Sequence, residues 1–215
     1  MKFYSIVVIT IFGLFGLGCS HYVGGECTYI KTIGTATLVT QEKGICKANF
    51  EPLQESWREW NIKPVIKDIE IECQNLTLHQ TYPAIYTTLS KGVCTPAYLT
   101  IYRVEMLQDF INGSSICMDE NNLQTDAATS KYFEDIIEKY TLLRQVDHNL
   151  KLSYSITMPP KYSSDYAFSL SLLKAKEFQK KVNEKYHFLD LWHNQEERKT
   201  FECKENELEV KFRVL

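Results

Sequence analysis

The feature that most constrains this chain is its set of cysteines. Seven are spread over 215 residues: Cys19, Cys27, Cys46, Cys73, Cys94, Cys117 and Cys203. Disulfides persist in oxidising compartments and are rare in the cytosol, so the compartment decides whether these are staples or free thiols. The N-terminus indicates which. Lys2 precedes "FYSIVVITIFGLFGL", which carries no charge, and Gly18 and Cys19 follow. That is the charged, apolar and small-residue order of an export signal. The apolar run ends at Gly18, short of the roughly 20 residues a spanning helix needs, and no basic cluster follows to stop transfer. Residues 1–18 are therefore expected to be a signal peptide and residues 19–25 a tether.

Residues 15–20, "FGLGCS", resemble the lipobox of bacterial lipoproteins, where a small residue precedes the cysteine that receives the lipid. The resemblance implies palmitate-type acylation of Cys19. It also implies anchorage in the bacterial cell envelope, at the outer membrane on its periplasmic or surface side. Gly16 stands where leucine is usual, so cleavage to a soluble secreted protein is the alternative. With Cys19 lipidated, Cys27, Cys46, Cys73, Cys94, Cys117 and Cys203 form an even set, which reads as a disulfide framework. Grouping them along the chain suggests two bonds among Cys27, Cys46, Cys73 and Cys94, and a third between Cys117 and Cys203.

Residues 26–110 read as a small antiparallel β domain. "CTYIKTIGTATLVT" places Ile33, Thr35, Thr37 and Val39 on one face and Gly34, Ala36 and Leu38 on the other. Small residues in the second set suit a tightly curved strand. "EKGICKANFEPL" is the expected hairpin partner, turning at Gly44. "IKPVIKDIEIEC" alternates Val65, Lys67, Ile69 and Ile71 against Ile66, Asp68 and Glu70, and "TPAYLTIYRVEM" is expected to close the run as a strand. Such short strands punctuated by Gly and Pro point to a barrel or sandwich. The polar residues 111–129 are the expected linker. From Ser130, expected as an N-cap, residues 130–215 follow a helix, strand, helix, strand pattern. The fold class is thus α+β, an N-terminal β-barrel or sandwich followed by an α+β domain, stapled by disulfides.

Within the second helix, "LSLLKAKEF" (170–178) resembles a signature of OmpA-like peptidoglycan-binding domains over roughly residues 125–215. The resemblance implies a ligand-binding role for Lys174, at the position of that family's arginine. An aspartate expected 15 residues earlier is Pro159 here, so the implied module is a degenerate one. Lysine also lacks the planar fork with which arginine grips a carboxylate.

The remaining chemistry is sparse. The chain carries 24 basic and 27 acidic residues, a net charge of −3, and its longest basic run is Lys180-Lys181. Nucleic acid is therefore not an expected partner. Zinc-protease, nucleophile-elbow, Walker and dinucleotide motifs are all missing, and no C-x-x-C occurs. His187, Asp190 and His193 spread too widely round a helix for a compact metal site. No catalytic residue, metal or cofactor is assigned. "ESWREW" puts Trp57 and Trp60 beside Arg58, residue types favoured at recognition surfaces; the plainer reading is a lid over one barrel end. The reading is a non-catalytic binding or assembly lipoprotein, with the membrane, an envelope protein or peptidoglycan as partner. A secreted enzyme of unrecognised class is the alternative.

Overall fold

The computed structural model describes residues 27–53, 64–73, 75–187, 189, 191–194 and 201–215. Five strands build the first sheet: β1 (Thr28–Glu42), β2 (Ile45–Pro52), β3 (Ile66–Glu72), β4 (Thr81–Lys91) and β5 (Ala97–Ile101), in the order β3-β2-β1-β4-β5. Every neighbouring pair is antiparallel. The β1–β2 hairpin turns at Lys43 and Gly44, both with positive φ (49° and 86°), the geometry whose twist matches paired strands.

The sheet curls because its inner face is lined by small residues. Ala36, Ala48 and Ala84 are fully buried there, alongside Leu38 and Phe50. At Gly34 an added Cβ would stand 2.1 Å from the Glu51 carbonyl oxygen and 2.8 Å from the Phe50 ring. Only glycine lets the strands approach this closely. The alternation expected for β1 is observed. That expected for β3 is not, because a bulge interrupts it: Ala48 opposes Ile69 but Phe50 opposes Ile66. Lys67 and Asp68 thus share one partner, Asn49, whose Oδ1 accepts from the Asp68 backbone N–H at 3.2 Å. The extra residue returns Ile66 to the face of Ile69 and Ile71. The result is a curled half-barrel. Among the described residues its two edges, β3 and β5, do not pair with one another.

After Ile101 the expected strand continuation is instead a helix, α1 (Val104–Asn112), which buries Leu107 and Ile111 one turn apart. The stretch expected as a linker carries strand β6 (Ser115–Asp119), with Ile116 and Met118 facing inward. Then come α2 (Ala127–Arg144), β7 (Leu152–Thr157), α3 (Ser164–Lys185), β8 (Leu191–His193) and β9 (Glu207–Val214). The second sheet has the order β6-β9-β7-β8, and only β7–β8 is parallel. α2 starts before Ser130: Asp126 is the cap, its Oδ1 accepting from the Thr129 N–H at 2.7 Å. A carboxylate at an N-cap also faces the positive end of the helix, which a serine does not exploit.

Helices and second sheet share one core, including Ile136, Leu142, Tyr154, Phe178, Val210 and Phe212, and Ile85 of β4 belongs to it while Ile33 packs against it. The outer face of the half-barrel therefore rests on the same core. Lys31 of β1 reaches Glu138 of α2 at 2.9 Å, and this hydrogen bond raises the lysine's pKa. Burial pushes the Glu138 carboxyl upward, but Lys31 and Lys139 outweigh it and hold the value below the ordinary one.

Candidate functional site: an open groove between two strand edges

The six cysteines among the described residues are spent as staples. Cys27 bonds Cys94, Cys46 bonds Cys73 and Cys117 bonds Cys203, with Cα separations of 6.3, 5.6 and 5.6 Å. This is the division suggested by their grouping along the chain. Such bonds suit an oxidising, extracytoplasmic setting. No helix among the described residues is long and apolar enough to cross a membrane. Cys117 and Cys203 lie close to Glu207, but sulfurs joined to each other offer no thiolate to a metal.

Cys19, Trp57, Arg58 and Trp60 lie outside the described residues, as does Asp190. Lys174, given a ligand-binding role by the family resemblance, does not face an open pocket. It is buried, its ammonium donating to Glu177 at 2.8 Å and to the Asn121 carbonyl at 3.3 Å. Lys181 likewise donates to the Asn122 carbonyl. The acidic turn they hold is also packed. Asp119 Oδ1 accepts from the N–H groups of Asn121 and Asn122, and Glu120 accepts from Lys161 at 2.5 Å and from the Tyr162 hydroxyl at 3.1 Å. These groups form a structural clamp between α3 and the turn after β6. Trp192 is half-exposed, and the Lys151 ammonium sits 3.8 Å from its ring centroid.

The concave site lies elsewhere, where the half-barrel fails to close. A cleft of about 540 Å³ separates the two sheet edges, within the size range of ligand sites. Its floor is the inner face of the curl: Ile69 and Ile71 from β3, Leu99 and Ile101 from β5, Tyr86 from β4, and Leu76. Glu70 and Glu72 stand on one rim, Tyr98 and Arg103 on the other. The Cys46–Cys73 bond ties the end of β3 to β2, and Cys27–Cys94 ties the β4–β5 turn to the start of β1. Both edges of the groove are thus held by covalent bonds.

Sequence reasoning missed this groove. The alternation of Ile69 and Ile71 in β3 and the strand character of β5 were visible, but the strand order that puts them at opposite edges was not. Comparison with protein families, characterised proteins and solved structures returns no match for this chain.

Proposed function

We propose that this protein is an exported, non-catalytic binding or assembly protein of the bacterial cell envelope, tethered through a lipid on Cys19. Its binding element is the groove of the half-barrel. The observation that carries this reading is an apolar, disulfide-braced cleft left between two strand edges. Its lining supplies apolar area and a few rim charges rather than a nucleophile with its base, which is the composition of a recognition site. The barrel suggested by the strand pattern is, on this view, completed by what binds. The peptidoglycan-binding alternative has less support, because Lys174 already serves Glu177 and the Asn121 carbonyl.

A photo-crosslinking amino acid placed at Tyr98 of the groove, and in a second protein at Lys180 of α3, tests this reading in intact envelopes. A discrete adduct from position 98 that is missing from position 180 is expected. Identical labelling from both positions would remove the groove as the working surface. Mass spectrometry of the mature N-terminus tests the tether separately: a diacylglycerol on Cys19 is expected, and an unmodified N-terminus at or beyond Cys19 rules it out.

A further inference from the structure

Five strands in the order β3-β2-β1-β4-β5, each antiparallel to its neighbours, leave the two edges pointing the same way. β1 is antiparallel to β2 and β4, β2 to β3, and β4 to β5, so β3 and β5 both run parallel to β1. No barrel made wholly of antiparallel pairs closes from an odd number of strands. One further strand, running opposite to both edges, closes it. We infer that the groove receives an extended segment of another polypeptide, which pairs with β3 and β5 at once and completes a six-stranded antiparallel barrel. This inference rests on the groove being the binding element.

The occupant's chemistry follows from the two faces of such a strand. Inward side chains would meet Ile69, Ile71, Leu99 and Ile101 over Tyr86, so alternate positions should be branched and apolar. Outward side chains would lie beside Glu70 and Glu72 on β3 and beside Tyr98 and Thr100 on β5. Lys47 opposes Glu70 on the β2 side, whereas Glu72 opposes Ile45. The rim next to the groove is therefore acidic along β3, and basic residues suit the outward positions as cross-strand neighbours. Tyr98, half-exposed and edge-on to Tyr29 at 5.8 Å, offers a ring to the same cations. An acyl chain of equal volume would cover the floor but leave both strand edges without hydrogen-bond partners. An inserted strand satisfies them as well, which is why strand addition is favoured at such edges.

The test uses the purified mature protein with a seven-residue, end-capped peptide alternating lysine and valine. Backbone amide exchange is followed in β3 and β5. Slowing of about tenfold or more on both edges is expected at saturating peptide, because amides that gain partners exchange more slowly. N-methylation of alternate peptide nitrogens should abolish the effect. Glu70 and Glu72 are exposed, so the double variant Glu70→Lys/Glu72→Lys should fold. It should bind the lysine peptide about 3- to 10-fold more weakly and prefer the glutamate–valine counterpart. Protection of one edge only, equal binding of the N-methylated peptide, or no binding at millimolar peptide would each overturn the inference. If palmitate binds the groove and the peptide protects neither edge, the inserted strand is wrong but the groove remains a binding site. Failure of that broader reading would instead appear as indifference of the position-98 adduct.

Discussion

At the scale of single residues, the shape of the half-barrel hangs on Gly34. Its conformation is open to other residues, but the space is not, because the obstruction is the Glu51 carbonyl oxygen at 2.1 Å from a would-be Cβ. Backbone cannot swing aside as a side-chain end would. Gly34→Ala should therefore destabilise the fold by about 1–3 kcal/mol, measured as a lower urea midpoint, despite alanine's better strand behaviour. Glu209 carries a different kind of liability. It is fully buried on β9, with the Lys211 ammonium 3.5 Å from Oε2. Burial pushes its carboxyl up from 4.5; the Lys211 charge opposes this without cancelling it, and the Glu202 charge adds to the rise. The native state thus binds this proton more tightly than the unfolded chain does. Its contribution to stability is fully present below about pH 4.5, where the unfolded chain is also protonated; stability declines as pH rises from there through the raised value and then levels off. Glu209→Gln should flatten that decline in thermal melts collected across the acidic range. A slope unchanged by the substitution would assign the pH dependence to other groups.

At the scale of elements, the edges of the groove depend on their staples. Among the described residues β3 has a single strand neighbour, β2, and the Cys46–Cys73 bond anchors its end. Replacing both cysteines by alanine should cost about 2–4 kcal/mol, with the largest rise in amide exchange along β3 rather than β1. Uniform loss of protection would mean that the bond braces the whole sheet instead of its edge. The same elements show how far sequence patterns reach. β1 was legible because Gly34, Ala36 and Leu38 alternate without interruption, and α2, β7, α3 and β9 because their apolar residues keep one period. β3 was misread at Ile66 because a bulge adds a residue that no period anticipates. α1 was missed because Tyr98 to Tyr102 continues a strand pattern up to the helix, and nine residues give a short helical signal. β6 was hidden by the polar residues around it; Ile116 and Met118 are its only two inward apolar side chains. The groove was illegible for a different reason. Its walls are adjacent in no stretch of sequence, and only the order β3-β2-β1-β4-β5 makes them edges.

At the scale of the whole molecule, the question is whether the half-barrel stands alone. Its inner face is small-residue-lined and open along the groove, a modest source of burial for a free-standing sheet. Its outer face compensates by resting on the helical core, where Ile85 is 2% exposed and clusters with residues of α1, α2 and the second sheet. Lys31–Glu138 adds a half-exposed ion pair across the same junction, worth at most about 1 kcal/mol because water screens it. Apolar contact therefore dominates the coupling. Ile85→Ala should cost about 2–5 kcal/mol, and the loss should register in both halves. With the disulfides intact, β1 amides and β7 amides should lose protection together, and Tyr154 and Phe50 environments should melt in one transition. Lys31→Ala should leave that single transition in place and shift it little. If Ile85→Ala instead melts the first sheet at lower temperature while β7 and β9 keep their protection, the two sheets fold as independent units. The rigid seat of the groove would then have to come from the disulfides alone.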